Sequence, residues 1–278
     1  MNCIFVSDLH GSKYKIKNLF KLIKSEKPDG VFIGGDIFPN NYIKDINSFF
    51  YNYYIKNIEE LIKNKIKSKI FIILGNDDPR IYENLLFEAE AKGYLYYVNC
   101  KSIEFFDLYV VGYSYVPPTP FTLKDWERYD VSRYVDPGSL SPEEGKRSFD
   151  IDLSEEKYKT ISEDLNDLSK KSDPKKTIYL FHSPPYRTNL DRADLDDKKF
   201  DHVQIDVNVG SIAIKRFIER VNPFLTLHGH VHESSRLSGD WKDKFGITFS
   251  FSAAFEGDKL AVIFFDTDNL NKAVRKIF

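Results

Sequence analysis

Five short apolar runs, each followed at once by a turn rich in Asp, Asn or His, constrain this chain more than any other feature. Cys3–Val6 runs into Ser7-Asp8-Leu9-His10-Gly11, Val31–Ile33 into Gly34-Gly35-Asp36, and Ile70–Leu74 into Gly75-Asn76-Asp77-Asp78-Pro79. Thr177–Phe181 runs into His182-Ser183-Pro184-Pro185, and Pro223–Leu227 into His228-Gly229-His230-Val231-His232. Short apolar runs bounded by turn residues read as buried strands. Between them, Tyr14–Ser25 carries Ile16, Leu19, Phe20, Leu22 and Ile23 at helical spacing. Asn41–Lys67, Arg80–Lys92, Ser154–Lys171 and Ile212–Val221 also read as helices, the second opened by Asp78-Pro79 and the last by Gly210-Ser211. Strands alternating with helices imply a mainly parallel α/β sheet, whose ligand sites lie beyond the carboxyl ends of the strands.

The middle of the chain changes character. Tyr94–Val98 reads as a strand, and Ser102–Phe106 and Leu108–Gly112 as a hairpin around Asp107. Periodicity is lost over Tyr113–Asp152, where Pro117-Pro118-Thr119-Pro120, Trp126 and Pro137-Gly138 mark an ordered irregular segment, expected to be a lid or insertion at about 113–152. Lys198–Val209 is a second irregular stretch and carries His202; Ile247–Ser252 and Leu260–Asp266 read as closing strands.

Length and composition suit a single domain over 1–278: 278 residues with 42% hydrophobic content can bury a large core. A net charge of −2 argues against a general nucleic-acid or membrane-surface binder, and the basic run Lys63–Lys69 reads as the solvated end of a helix. Two cysteines imply no disulfide framework, and no apolar stretch is long enough to span a bilayer. A cytoplasmic protein is the expectation, with surface-patch homodimerisation open.

Three of the six histidines fall between positions 228 and 232. Asp8, His10, Asp36, Asn76, His182, His230 and His232 all stand at carboxyl ends of expected strands, and all are oxygen or imidazole ligand types. A capped surface turn or a packed histidine accounts for any one of them alone. A paired-metal site accounts for the set, because two divalent cations about 3.5–4 Å apart can clamp a phosphoryl group and lower the pKa of a bound water. Such a site needs a bridging carboxylate, for which Asp36 is the candidate. Mixed nitrogen and oxygen donors suit manganese, iron, zinc or nickel better than magnesium or calcium.

Taken together and in order, Asp8-Leu9-His10, Gly35-Asp36, Gly75-Asn76-Asp77-Asp78, His182 and Gly229-His230-Val231-His232 resemble the motifs of the calcineurin-like metallophosphoesterase superfamily over essentially the whole chain. His182–Tyr186 and His228–Ser234 resemble its bacterial and archaeal branch related to cyclic-nucleotide phosphodiesterases. The resemblance implies a four-layer αββα sandwich of two mixed β-sheets flanked by helices. It implies two divalent metal ions, manganese foremost: Asp8, His10 and His232 on the first, Asn76, His182 and His230 on the second, Asp36 shared. The implied activity is a phosphodiesterase in which a metal-bridging hydroxide attacks phosphorus in line. A phosphomonoesterase or protein phosphatase is the alternative within the class, and a non-catalytic scaffold of the same fold the alternative outside it.

One position departs from the pattern. The superfamily usually has a histidine after the asparagine, protonating or stabilising the leaving oxygen, and here that residue is Asp77. An ordinary aspartate is ionised at neutral pH and repels a phosphate dianion. Substrates with good leaving groups, or diesters with one negative charge, are therefore expected, with Asn76, Asp77 and His202 as the catalytic candidates; His228 reads as a packed residue. Arg187, Lys124 and Trp126 are the substrate-binding candidates, placed to pair with phosphate or stack on a base or aryl group of a phosphoester or nucleotide.

Overall fold

Strands that are apolar on both faces must be covered on both faces. In β1 (Asn2–Val6), Cys3 and Phe5 point one way, Ile4 and Val6 the other, and all four are buried. The computed structural model describes residues 1–39, 45–150 and 158–278. After β1 come α1 (Lys13–Glu26), β2 (Gly30–Gly34) and α2 (Ile46–Phe50), which continues through a π-helical turn (Tyr51–Ile55) into α3 (Lys56–Lys63). Then follow β3 (Lys69–Ile73), α4 (Glu83–Ala91), β4 (Tyr96–Tyr97), β5 (Ser102–Phe105), β6 (Leu108–Tyr113) and α5 (Ile161–Leu168). The remainder is β7 (Thr177–Phe181), the hairpin β8 (Lys199–Phe200) and β9 (Val203–Gln204), α6 (Ile212–Val221), β10 (Leu225–His228), α7 (Ser234–Ser238), β11 (Lys242–Phe245), β12 (Thr248–Ser252), β13 (Ala261–Asp266) and β14 (Val274–Ile277).

The strands form two mixed six-stranded sheets, in the orders β14-β13-β1-β2-β3-β4 and β11-β12-β10-β7-β6-β5. β1, β2, β3 and β4 run parallel in the first, and β12, β10, β7 and β6 in the second. Register aligns Phe5 with Phe32 and Phe32 with Phe71. These rings face the second sheet: Phe32 stacks on Phe71 at 5.2 Å, and Phe105 meets Phe71 edge-on at 5.1 Å. With Ile178, Leu180, Leu225, Leu227 and Phe251 they make the core between the sheets. On the outer faces, Ile4, Val6, Val31 and Ile33 cluster with Leu19, Phe20 and Ile23 of α1, while Tyr179 and Phe181 of β7 meet Phe217 of α6 at 5.0 and 6.1 Å. The result is the expected α/β sandwich of helix, sheet, sheet and helix, each buried aromatic contributing about 2–3 kcal/mol of transfer free energy.

The expected elements shift where caps and side-chain partners decide. The helix expected over Asn41–Lys67 has its first four residues outside the described ones; Asp45 caps it, and Lys65 in the left-handed region lies beyond its end. Residues 154–157 of the Ser154–Lys171 helix also lie outside; Thr160 and Glu163 form a capping box that starts α5 at Ile161. Residues 151–152 of the irregular segment are likewise outside, and its remainder, from 114 to 150, contains no helix or strand, only isolated bridges such as Val116 to Glu127 and Leu123 to Lys146. The stretch around His202, expected to be irregular, holds the β8–β9 hairpin, and β11 and β14 add edge strands to the sheets. Among the described residues no helix is long and apolar enough to cross a membrane.

Candidate metal centre

The carboxyl ends of the parallel strands of both sheets meet along one edge. His182, just after β7, places Nδ1 2.7 Å from the Gly34 carbonyl of β2, and the Gly229 amide donates to the His182 carbonyl at 2.9 Å. Such close approach demands glycine. A Cβ on Gly75 would lie 2.3 Å from Oδ1 of Asp36 and 2.6 Å from the His182 ring, and one on Gly229 would lie 2.0 Å from Ser7 Oγ. Asp8, His10, Asp36 and His230 adopt positive φ of 56°, 43°, 51° and 74°. Non-glycine residues seldom do so, at a cost of order 1–3 kcal/mol each, and such strain concentrates at functional sites. The buried carboxylate of Asp78 braces these turns, accepting from the amides of Gly75 at 2.9 Å, Ile37 at 3.1 Å and Phe38 at 2.8 Å.

All seven expected ligands converge here. Asp8, His10, Asp36 and His232 each present a ligand atom within 4.8 Å of the others. His10 Nε2 faces His232 Nε2 at 3.1 Å, and His232 Nε2 lies 3.4 Å from Asp8 Oδ1. On the other side of Asp36, His182 Nε2 lies 3.3 Å from Asp36 Oδ2 and 2.9 Å from Asn76 Oδ1, with the His230 ring 5.3 Å away from that of His182. Asp36 thus stands between two groups of donors. The Gly34 carbonyl can only accept, so Nδ1 of His182 carries a proton and Nε2 is aimed inward.

Electrostatics agree with a centre built for cations. Burial opposes ionisation of Asp8, yet the His232 hydrogen bond and nearby imidazoles hold its carboxyl well below the usual range; Asp36 is held down against burial by His182 and His10. Burial likewise opposes charge on His182, but Asp36 raises it to about 10. Burial and the charge of His182 push His230 down to about 3. Asp36 thus favours positive charge beside it. Oδ2 of Asp8 is buried with no hydrogen-bond partner, an arrangement costly for a carboxylate unless a cation completes it. The donor set and this orphaned oxygen both fit a metal site.

The remaining candidates divide. Asp77 is at the centre: its amide donates to Asp36 Oδ1 at 2.9 Å and its carboxylate accepts from Asn76 Nδ2 at 3.0 Å. Burial, then the charge of Asp36, pushes it up to about 6. His228 is a core residue, stacked on Phe181 at 5.6 Å and bonded to Ser183 O and Thr226 Oγ1. His202 is exposed at the β8–β9 turn, and Arg187 is exposed over the Tyr186 ring at 5.2 Å; neither lines the cavity at the centre. Lys124 and Trp126 require correction as substrate-binding residues, because both are fully buried. Lys124 pairs with Glu127 at 2.5 Å, and Trp126 Nε1 donates to the Asp78 carbonyl at 2.9 Å. They anchor the irregular segment rather than face solvent. The bracing role of Asp78 had no local signal beyond its place in an Asp-rich turn, where aspartates commonly accept from backbone amides.

No curated protein sequence matches the chain. One solved crystal structure is similar over 100% of this chain and 98% of its own, with a TM-score of 0.61 at 16% identity. TT1561 of Thermus thermophilus is similar over 99% and 98%, with a TM-score of 0.57 at 15% identity. At these identities the likeness speaks to the fold alone. The sequence profile of the calcineurin-like phosphoesterases matches residues 1–234. By that match, and with the Asp/His cluster that the structure gathers at the strand ends, the chain belongs to the calcineurin-like phosphoesterase family, and is a metal-dependent phosphoester hydrolase.

Proposed function

We propose that this enzyme is a dinuclear phosphodiesterase of the bacterial and archaeal branch related to cyclic-nucleotide phosphodiesterases. The carrying observation is Asp77, standing at the metal centre where a leaving-group histidine is expected. Asp8, His10 and His232 would hold one divalent cation, Asn76, His182 and His230 the other, with Asp36 shared. Two such ions, manganese foremost, supply charge to bind the phosphoryl oxygens and to acidify the attacking water.

The chain's own residues set the preference. Asn76 and the Asp36 contact fix Asp77, so its carboxyl faces the centre from one side. Ionised at neutral pH, it opposes a dianionic monoester more than a monoanionic diester. Raised to about 6, it also retains the capacity to hold a proton for a leaving oxygen under mildly acidic conditions. Backbone amides and Gly34 hold Asp36 and His182 in place, so little reorganisation accompanies substrate binding.

The test is hydrolysis of p-nitrophenyl phosphate and bis(p-nitrophenyl) phosphate by metal-stripped protein reconstituted with manganese, with Asp36→Asn as control. Diester cleavage at least about tenfold faster than monoester cleavage, and lost in the control, is expected. Faster monoester cleavage would replace the diesterase reading with a phosphatase. Turnover of neither compound despite bound manganese would favour a scaffold.

A further inference from the structure

We infer that the phosphoester taken by this centre carries a bulky apolar group with no negative charge of its own, an inference that rests on the diesterase reading for the type of ester cleaved. A cavity of about 550 Å³ opens directly onto Asp36, Asn76, Asp77, His230 and His232. That volume lies within the roughly 300–1,000 Å³ range of pockets that bury a small organic ligand. One wall comes from the irregular segment, with Pro118, Phe121 and Val131; the facing wall comes from the stretch after β7, with Leu195, Phe200 and Ile205. The two walls approach at Gly138, where an added Cβ would lie 3.5 Å from the Phe200 ring.

These apolar side chains are left incompletely covered. Val131, Leu195 and Ile205 are half-buried, and Phe121 and Phe200 are 55% and 54% exposed. Apolar surface gathered into a concavity beside a reactive centre gains free energy when an apolar group displaces its water.

The charge of the cavity sharpens the class. Its lining includes the carboxylates of Asp77, Asp136, Asp206 and Glu233, and among the described residues no Lys or Arg lines it. Asp206 and Glu233 are fixed in place, accepting from the Tyr186 hydroxyl at 2.5 Å and the Asp194 amide at 3.1 Å. The phosphoryl charge of a substrate is answered at the metal centre. A second anionic group further into the cavity would meet carboxylates, apolar walls and neutral groups such as Ser132, Tyr134 and Asn208, with no Lys or Arg among the described residues to answer its charge, so polyanionic nucleotides are disfavoured and monoanionic diesters of an aliphatic or aromatic alcohol are favoured.

Calorimetry on the manganese-loaded protein tests this with three uncleavable phosphinates: ethyl(methyl)phosphinate, decyl(methyl)phosphinate and the decyl compound bearing a terminal carboxylate. The decyl compound should bind at least about tenfold more tightly than the ethyl one, given the affinity that each buried methylene adds. The terminal carboxylate should remove that gain, and Ile205→Asp or Phe200→Asp should each reduce it, Phe200 lying on an exposed hairpin that tolerates the change. Equal affinities for ethyl and decyl compounds, or a decyl preference untouched in both variants, would overturn the inference. Hydrolysis of p-nitrophenyl ethyl and decyl phosphates separates the two claims. Tight decyl phosphinate binding with neither diester cleaved would sink the diesterase reading while supporting the apolar site.

Discussion

Asp77 and Asp78 are neighbours with opposite duties. Asp77 faces the centre, and restoring the histidine its family usually carries supplies a better acid for poor leaving groups. Asp77→His should raise kcat/KM for alkyl phosphodiesters by about ten- to a hundredfold, within the usual range of general acid catalysis, while changing aryl diesters little. Rates across a leaving-group series check this; an unchanged alkyl rate would refute the role. Asp78 points inward and satisfies three backbone amides. Asp78→Ala leaves those donors buried and unpaired, at about 1–3 kcal/mol each, so a loss of at least about 3 kcal/mol in guanidinium unfolding is expected. The contrast explains what could be read at this scale. A ligand such as His10 or His230 announces itself by residue type and by its place at a strand end, both local properties. The partners of Asp78 at Ile37 and Phe38 lie some forty positions away, and no local pattern links them.

The same distinction holds for elements. Strands β1, β2, β3, β7 and β10 lie inside the sheets with both faces covered, so they appear as unbroken apolar runs. β11, Lys242–Phe245, and β14, Val274–Ile277, are edge strands with charged residues, a pattern shared with solvated loops. The irregular segment was legible as an ordered departure from periodicity, but which of its side chains turned inward was not; Lys124 and Trp126 are buried by partners that spacing cannot reveal. The Lys124–Glu127 pair predicts how this segment responds to pH. Burial, partly offset by Lys124, raises Glu127 to about 7 from an ordinary 4.5. Between those values the folded chain holds a proton that the unfolded chain releases. The contribution is thus fully present below pH 4.5 and lost as pH rises through 7, on the order of 3 kcal/mol. Urea unfolding at pH 5 and pH 7.5 should show a smaller decline for Glu127→Gln than for the parent chain; equal declines would place the titration elsewhere.

For the whole molecule, the ligands' origins matter more than their identities. Asp8, His10, Asp36 and Asn76 follow strands of one sheet, whereas His182, His230 and His232 follow strands of the other. Without a cation, this seam holds carboxylates, imidazoles and an unpaired Asp8 oxygen in close contact, and the apolar core between the sheets must sustain it. Bound cations would join the sheets across the seam and couple metal affinity to global stability. Manganese at about a hundred times its dissociation constant adds about 2.7 kcal/mol if the unfolded chain does not bind it. At about 2–4 °C per kcal/mol for chains approaching this length, the melting temperature should rise by roughly 5–10 °C over that in chelator. Asp36→Asn removes the shared ligand and should erase most of that rise, whatever its effect on the metal-free melting temperature. Thermal melts of both proteins in chelator and in manganese make the comparison. An equal rise in the two would mean that manganese stabilises the chain elsewhere, and that the seam between the sheets is not where the metal acts.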